Sequence, residues 1–333
     1  MKILIAGGAG YIGHVLAPRL VERGYDVDVV DLLWFGNHQP PSVRVMQKDL
    51  MELTEKDMAA YDQVIYLAGL SNDPMAEYSP ARNFVENGAS AAYLAYISKR
   101  AGVKRFIYGG SCSVYGYTVN ELYDETSPAV SSYPYGISKL QGEFGALYMR
   151  DNNFSVIAFR KGTVCGFSPR MRFDLIVNTM FKSAVSEGVI TVNNPSIWRP
   201  ILAIQDAASA YIRAIEAPQE INGVYNIASG NYTVGEVADY VQIGIKEYLG
   251  KDARTEIKHI EDYRNYKVSI EKAKNVLSFK PRYDVEKIVK ELAENLGGLT
   301  DLNDDKYYNI RVFKKLYPDT SPERVKCDFP GEN

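Results

Sequence analysis

Tyr135 and Lys139 are the two residues of this sequence best suited to moving a proton together. On a helix they would lie on the same face, because residues i and i+4 are neighbours on the helical surface. A phenol has a pKa of about 10, so it acts as a base near neutral pH only where nearby positive charge stabilises the phenolate. The Lys139 ammonium would supply such a charge. The pair therefore predicts acid–base chemistry by Tyr135.

The same spacing occurs at Tyr263–Lys267 and Tyr283–Lys287, so spacing alone does not select a pair. Position along the chain favours the first pair, which follows an apolar run ending in glycines, hydroxyls and a thiol, "FIYGGSCSVYG". Ser111 lies in this stretch, where a buried strand should end. A hydroxyl at such an edge is either an ordinary loop residue or part of the chemistry.

The elements that would position these residues alternate along the first half of the chain. Short apolar runs, typical of buried strands, are separated by stretches with helical spacing. This alternation predicts βαβ units and an α/β fold with a Rossmann-like, doubly wound parallel sheet. The predicted strands are Lys2–Ala6, Asp26–Asp31, Val43–Met46, Gln63–Ala68, Arg105–Tyr108 and Ser155–Phe159, and the principal helices are Tyr11–Arg23, Pro80–Ala101 and Tyr135–Asn152.

The second half of the chain alternates less regularly and predicts a smaller, interleaved C-terminal domain. We assign residues 1–165 to the first domain, with 199–228 returning to it, and residues 166–198 and 229–333 to the second. The segment "GTVCGFSPRMR" is interpreted as a loop. Further along the chain, Asp206 is expected to be the N-cap of the helix that begins directly after it. The polar tail after Thr300 fits no predicted element.

The first predicted strand runs directly into Gly7, Gly8, Gly10 and Gly13, and then into a helix. Glycines here allow a tight turn and let a pyrophosphate approach the helix N-terminus. Asp31 ends the second strand, where a carboxylate accepts hydrogen bonds from ribose hydroxyls. A carboxylate repels a 2′-phosphate, and the three residues after Asp31 bring no cation. NAD is therefore favoured over NADP.

Further cofactor contacts are expected around this loop and after the third and fourth strands. Asp49 follows the third strand, where it either meets the adenine amino group or is a solvated surface residue. The expected cofactor-binding residues are Gly7, Gly10, Tyr11, Ile12, Gly13, Asp31, Asp49, Leu50, Leu67, Ala68, Gly69, Tyr135 and Lys139.

The composition and charge of the chain argue against several classes of function. Its 333 residues are 46% hydrophobic and 24% charged, as in soluble globular proteins. A net charge of -3 leaves no excess of Lys and Arg for binding a nucleic acid. No apolar run approaches the ~20 residues that span a membrane. The three cysteines and three histidines have no metal-ligand spacing. We expect a reduced, cytoplasmic protein that binds no metal, nucleic acid or membrane.

Several motifs together resemble the extended short-chain dehydrogenase/reductase family, in particular its NAD-dependent nucleotide-sugar epimerases and dehydratases. The matching features are "GGAGYIG", Asp31, "YLAG", "GGSCSVYG", "YPYGISK", Arg199 and Arg264, and they extend from residue 7 to residue 264. The resemblance implies an enzyme that binds NAD and a nucleotide-diphosphate sugar, the latter in the second domain. It also implies a homodimer formed through the Pro80–Ala101 and Tyr135–Asn152 helices.

The resemblance implies three catalytic residues. Ser111 would hydrogen-bond the sugar oxygen that is oxidised, Tyr135 would take the proton from that hydroxyl, and Lys139 would bind the nicotinamide ribose and lower the pKa of Tyr135.

The resemblance also implies substrate-binding residues. Arg199 and Arg264 match arginines that hold a nucleotide diphosphate, a task suited to guanidinium groups. Asn178 is an expected substrate contact from the second domain, as is either Arg170 or Arg172. Asn87 resembles an asparagine that the family uses near its active site.

The residues after Ser111 bear on the type of reaction. Dehydratases of this family carry an Asp–Glu pair there, which removes the C5 proton and expels water from C6. This chain has Cys112 and Ser113 instead, and neither side chain is an effective acid or base near neutral pH. Family members that epimerise C3 and C5 of GDP-mannose use a cysteine at the position of Ser113. Cys112 is therefore expected to be a small buried residue, with proton transfer as the alternative.

We expect an oxidoreductase that acts at C4 of a nucleotide sugar, as a 4-epimerase or a 4-dehydrogenase, in glycan precursor biosynthesis. The "SPRMR" segment resembles 4-oxidoreductases of nucleotide-activated heptoses, which implies a GDP-heptose-like or other nucleotide sugar as the substrate. The alternatives are a 3,5-epimerase, a 4,6-dehydratase, or a non-catalytic protein that senses a dinucleotide on the same fold. A sensor would not need Ser111, Tyr135 and Lys139.

Overall fold

The computed structural model describes residues 1–259 and 264–318, and residues 117–120 by their backbone alone. Tyr263, Cys327 and the rest of the tail beyond residue 318 lie outside the described residues. The strands are β1 Lys2–Ala6, β2 Asp26–Asp31, β3 Arg44–Gln47, β4 Gln63–Tyr66, β5 Arg105–Gly109, β6 Tyr117–Tyr123, β7 Ser155–Lys161, β8 Thr163–Cys165, β9 Val189–Asn193, β10 Trp198–Ala203, β11 Gly223–Ile227, β12 Gly230–Thr233, β13 Arg254–Lys258 and β14 Asn265–Val268.

The helices of the same residues surround these strands. They are α1 Gly13–Glu22, α2 Glu55–Met58, α3 Asp73–Tyr78, α4 Pro80–Phe84, α5 Ser90–Arg100, α6 Pro134–Tyr148, α7 Ile176–Glu187, α8 Ile204–Glu216, α9 Val234–Leu249, α10 Glu271–Leu277, α11 Val285–Glu294 and α12 Asn309–Leu316. None of these helices is both long and apolar enough to cross a membrane.

The largest unit is a parallel sheet with the strand order β11-β7-β5-β4-β1-β2-β3. Its strands are continuous apolar runs because both faces are covered by helices. Helices α1 and α8 pack on one face and α5 and α6 on the other. The predicted α/β, Rossmann-like doubly wound fold is confirmed. The strand order reverses between β1 and β4, which is where ligands bind in open α/β sheets.

A second hydrophobic core lies among α7, α9, α11 and the small sheets of the second half. Strand β11 pairs with β7 in the large sheet, whereas β10 pairs with β8 and β12 in a three-stranded sheet. The division into two domains at the residues proposed above stays a prediction.

Three local predictions differ from the structure. The long helix predicted over Pro80–Ala101 is interrupted by a π-helix at Val85–Ala89. The segment interpreted as a loop contains the short strand β8. Asp206 does not cap its helix, because α8 already begins at Ile204 and the Asp206 carboxylate accepts instead from the backbone N–H groups of Arg282 and Tyr283.

The polar tail that fitted no predicted element contains the helix α12. Phe313 of this helix is fully buried and packs with Leu70 and Met75, next to Trp34. These partners lie just after β2 and β4, so α12 covers the carboxyl edge of the sheet beside the point where the strand order reverses.

Candidate active site

A cavity of about 440 Å³ lies at the carboxyl edge of the large sheet. The glycine loop after β1 and the ends of β2, β4 and β5 form one side of it. The other side comes from the second half of the chain, through β8, the segment 170–176, Arg199, Arg264 and Asn309. The cavity therefore brings together the predicted nucleotide-binding and catalytic regions.

The glycine loop leaves no room for side chains at two of its positions. Gly7 has φ +76, and a Cβ there would lie 2.4 Å from the Ala68 backbone nitrogen; at Gly13 it would lie 2.1 Å from the Gly8 carbonyl oxygen. The backbone of this loop therefore packs closely and leads directly into the N-terminus of α1. Such a turn is suited to binding a pyrophosphate.

Asp31 lies at the end of β2 and lines the same cavity. Its carboxylate accepts hydrogen bonds from the backbone N–H groups of Ala9 (3.0 Å) and Leu33 (2.8 Å). Burial raises the pKa of this carboxyl, and the backbone hydrogen bonds oppose that rise. Asp31 thus fixes the glycine loop and presents a carboxylate to the cavity, so the residues present fit an adenosine ribose and diphosphate.

Nearly all of the expected cofactor-binding residues line this cavity. Gly13 does not, because its Cα packs against the Gly8 backbone and serves the turn itself. The lining residues from the expected set are Gly7, Gly10, Tyr11, Ile12, Asp31, Asp49, Leu50, Leu67, Ala68, Gly69, Tyr135 and Lys139.

Ser111, Tyr135 and Lys139 meet at the other end of the cavity. Ser111 follows β5, and its Oγ accepts from the Ser113 backbone N–H at 3.1 Å. Burial and the negative charge of Asp73 raise the pKa of Tyr135, while Arg172 and the side chain of Ser111 oppose the rise. The groups of the chain alone therefore favour the neutral phenol.

Lys139 is 5% exposed, and its Nζ lies 5.9 Å from the centre of the Tyr135 ring. Burial lowers the pKa of this amine to about 7. The lowering of the Tyr135 pKa by Lys139 stays a prediction. A cationic ligand bound beside Tyr135 would lower its pKa further, in the same sense as Arg172.

A buried ion pair holds α6 against the sheet. Arg160 in β7 binds Glu143 of α6 through Nε (3.0 Å) and Nη2 (2.7 Å), and their side chains are 5% and 0% exposed. Arg160 also donates to the Tyr115 hydroxyl at 2.9 Å, four residues after Ser111. One guanidinium therefore connects the segment carrying Ser111 with the helix carrying Tyr135 and Lys139.

Arg199 and Arg264 lie together on the wall formed by the second half of the chain. Arg264 pairs with Asp73 at 2.5 Å, and Arg199 donates to the backbone carbonyl of Arg264. Arg172 is bound by both carboxylate oxygens of Asp174, at 2.8 and 3.0 Å. Arg170 also lines the cavity.

Asn178 is fully buried behind the cavity and is not among its lining residues. Its amide accepts from the Gly166 backbone N–H (3.0 Å) and donates to the Tyr11 hydroxyl (3.0 Å) and the Arg172 carbonyl (2.9 Å). In the structure, Asn178 holds the loop that carries the arginines.

Cys112 is 1% exposed, and its thiol lies 3.1 Å from the Arg160 carbonyl oxygen. Burial raises the pKa of this thiol far above its ordinary value. The prediction that Cys112 is a small buried residue is confirmed. Asn87 is fully buried in the π-helix and donates to Asn83 and Ser138 rather than lining the cavity.

The lining residues that sequence reasoning missed include Asp73, Lys161, Tyr266 and Asn309. A lysine directly after the buried strand "VIAFR" was a signal for Lys161. The other three had no local signal. Among residues 1–259 and 264–318, no group of three or more His, Cys, Asp or Glu side chains is placed to hold a metal ion.

The lowered pKa of Lys139 predicts a pH-dependent stability. Between pH 7 and its ordinary value of 10.5, the unfolded chain binds a proton that the folded chain has released. Stability therefore rises with pH in this window, by up to about 1.4 kcal/mol per pH unit. Measured by chemical denaturation, the free energy of unfolding should rise less steeply with pH in Lys139→Met than in wild type. Lys290→Met, on the exposed face of α11, should retain the wild-type rise. Equal slopes of unfolding free energy against pH for wild type and Lys139→Met would contradict a lowered pKa of Lys139.

Comparison with known proteins gives relatives named for reactions of nucleotide sugars. UDP-glucose 4-epimerases of Corynebacterium glutamicum and Streptococcus mutans are 24% and 27% identical, each match covering 87% of this chain and 94% or 95% of the relative. The structure of MoeE5 in complex with UDP-glucuronic acid and NAD has a TM-score of 0.79 at 24% identity, covering 90% of this chain and all of that one. A structure of the NDP-hexosamine 5,6-dehydratase TunA has the same TM-score at 23% identity, covering 91% and 99%.

The family assignment comes from the sequence itself. The profile of the NAD dependent epimerase/dehydratase family matches residues 3–228, which contain the glycine loop, Asp31, Ser111, Tyr135 and Lys139. The resemblance inferred from the motifs is thereby confirmed, and NAD is the cofactor. This chain belongs to the NAD-dependent epimerase/dehydratase family and is an extended short-chain dehydrogenase/reductase enzyme.

Proposed function

We propose that this enzyme is a nucleotide-sugar 4-epimerase whose substrate is a UDP-sugar. The observation that carries the proposal is that Ser111, Tyr135 and Lys139 share one cavity with the glycine loop, Asp31 and two arginines on the facing wall. The UDP-glucose 4-epimerases among the relatives support UDP as the nucleotide. The cavity holds both a dinucleotide-binding end and a proton-transfer end, which a non-catalytic sensor would not need.

The chain's residues divide the chemistry at C4 between them. Tyr135 takes the proton of the C4 hydroxyl, and Ser111 holds the same oxygen by a hydrogen bond. Lys139 lies beside Tyr135 and supplies charge and a donor to the nicotinamide ribose. Bound NAD supplies the hydride acceptor and later donor. Inversion at C4 would require the sugar to turn within the cavity while its diphosphate stays held, and Tyr135 would then return the proton to the C4 oxygen.

The diphosphate of the sugar nucleotide is assigned to Arg199 and Arg264. Both guanidinium groups line the wall that faces Ser111, and Asp73 pairs with Arg264 there. Charge-assisted bonds from guanidinium to phosphate are strong and geometrically specific. This placement separates the held diphosphate from the reacting carbon, as the proposed turning of the sugar requires.

The residues after Ser111 argue against the alternative reactions. The buried Cys112 thiol, with its raised pKa, is unsuited to acid–base work, and Ser113 is a hydroxyl. Neither supplies the carboxylate that 4,6-dehydration needs, and a 3,5-epimerase of the kind considered above would need a cysteine at Ser113. Net oxidation at C4, including that of a GDP-heptose-like sugar, is the second candidate, since it uses the same three residues.

The proposal predicts the mass of the product. Incubated with UDP-, GDP-, dTDP- and CDP-sugars, the enzyme should convert a UDP-sugar to a product of unchanged mass and inverted C4. Tyr135→Phe should lower the rate about 100- to 10,000-fold, and Tyr283→Phe, from the other described Tyr–Lys pair, should not. Loss of 18 mass units would establish a dehydratase instead, and loss of two a 4-dehydrogenase.

We also propose a homodimer formed through α5 and α6. These neighbouring helices expose large apolar side chains, with Tyr96 46%, Phe144 59% and Tyr148 86% exposed. Exposed apolar patches of this kind mark interaction surfaces. Sedimentation at micromolar concentration should give a dimer for wild type and a monomer for Phe144→Glu. Ile243→Glu, which changes an equally exposed residue on α9, should remain dimeric; a wild-type monomer would refute the proposal.

A further inference from the structure

Arg170 is a buried cation whose hydrogen-bonding groups are mostly unused within the described residues. Arg170 is only 4% exposed. Nη2 donates to the Asn309 side-chain oxygen, but Nε and Nη1 have no hydrogen-bond partner in the described part of the chain. The neighbouring carboxylate of Asp174 is bound by Arg172 instead. Buried donors without partners are costly, so a guanidinium in this state points to a ligand.

The surroundings of Arg170 belong to the nucleotide end of the cavity. Its guanidinium carbon lies 3.6 Å from the centre of the Phe35 ring, four residues after Asp31. Two residues before Arg170, the Ser168 hydroxyl donates to the Tyr11 backbone carbonyl at 2.8 Å. The segment that carries Arg170 is thus attached to the glycine loop. The positive charge is close enough to oppose the rise of the Asp31 pKa.

The geometry of the guanidinium leaves its donors available to an anion. Phe35 stacks on one face of the planar group, whereas the N–H groups point outward in the plane. The unpartnered N–H groups at Nε and Nη1 point in different directions within this plane, and charged donors of this kind form strong hydrogen bonds to phosphate oxygens. The chemical class of ligand that fits is therefore a diphosphate at the carboxyl edge of the sheet.

We propose that Arg170 binds the pyrophosphate of NAD, opposite the N-terminus of α1. Two diphosphates enter this cavity, that of the cofactor and that of the sugar nucleotide. Tyr11, Asp31 and Phe35 surround Arg170, and all three belong to the cofactor end. Arg264 instead pairs with Asp73, whose charge acts on Tyr135 at the catalytic end, and Arg199 binds the Arg264 carbonyl there. The proposal rests on NAD as the cofactor of the family and not on the identity of the sugar.

Asn309 is the positioning residue for this arginine. Its side-chain oxygen accepts from Arg170, and its amide donates to the Ser71 hydroxyl at 2.6 Å. Asn309 begins α12, which Phe313 anchors against Leu70 and Met75. The C-terminal helix therefore sets the direction of the Arg170 side chain, and part of the cofactor site is built by a segment far along the chain from the glycine loop.

The test is to measure, by calorimetry, the affinity of nucleotide-free protein for NAD, ADP-ribose and adenosine. Arg170→Met should weaken NAD and ADP-ribose alike, by about 10- to 100-fold, and leave adenosine, which has no phosphate, unchanged. Asn309→Ala should weaken NAD less, and the double variant should bind no more weakly than Arg170→Met, because both act through one contact. Arg311→Met, which removes an exposed arginine of the same helix, is the control for net charge and should bind NAD as wild type does.

Four results would overturn the assignment. NAD affinity could be unchanged in Arg170→Met. The loss could be confined to NADP, which would place a 2′-phosphate at Arg170. The loss could fall on UDP, titrated into NAD-loaded protein, which would place the sugar nucleotide's diphosphate there. Finally, the nucleotide-free variant could melt several degrees lower and lose adenosine as well, which would show a structural role.

These measurements need no sugar turnover, so failure of the proposed epimerase would leave them interpretable. A protein that binds NAD through Arg170 and converts no sugar would support this inference and refute only the proposed function.

Discussion

The bidentate ion pair between Arg160 and Glu143 is the interaction on which the geometry of the site depends. It joins β7 to α6 in the interior, and Arg160 adds a hydrogen bond to Tyr115. Removing one member of such a buried pair costs about 3–5 kcal/mol, because the other charge is left uncompensated. Ser111, Tyr135 and Lys139 come from two separate segments, and this guanidinium holds both segments at fixed positions relative to the sheet.

Burial of positive charge is the second constraint, and it runs through the whole cavity. Lys139 and Lys161 are buried amines whose pKa values are lowered by burial, and burial also lowers the pKa of Arg170, to about 9. Folding places these cations where water cannot solvate them. Anionic ligands relieve that cost when they bind. The burial of positive charge that lowers the stability of the folded protein therefore also favours binding of phosphates.

The large sheet and the glycine loop were predictable because their signals are local. A strand covered on both faces is a continuous apolar run, and a turn that excludes Cβ atoms needs glycine at Gly7 and Gly13. The predicted strand ends were therefore close to those of the structure. Tyr135 and Lys139 were found in the same way, since i,i+4 spacing on a helix is a local property.

The other features of the site depend on contacts between segments that are distant in sequence, and such contacts leave no local sequence pattern. Asn178 looked like a substrate contact, but its amide serves Gly166, Tyr11 and Arg172 behind the cavity. The docking of α12 through Phe313, and with it Asn309, follows from tertiary packing of a polar segment. The raised pKa of Tyr135 likewise comes from its burial and from Asp73, which is distant in sequence.

Isotope tracing is the most direct test of whether Tyr135 and its neighbours serve hydride transfer at C4. A UDP-sugar carrying deuterium at C4 would be converted by the enzyme and the product analysed by nuclear magnetic resonance. We expect deuterium to stay on C4 with inverted configuration, because hydride would leave and return without exchanging with solvent. Loss of the label to water, or its appearance on another carbon, would contradict it.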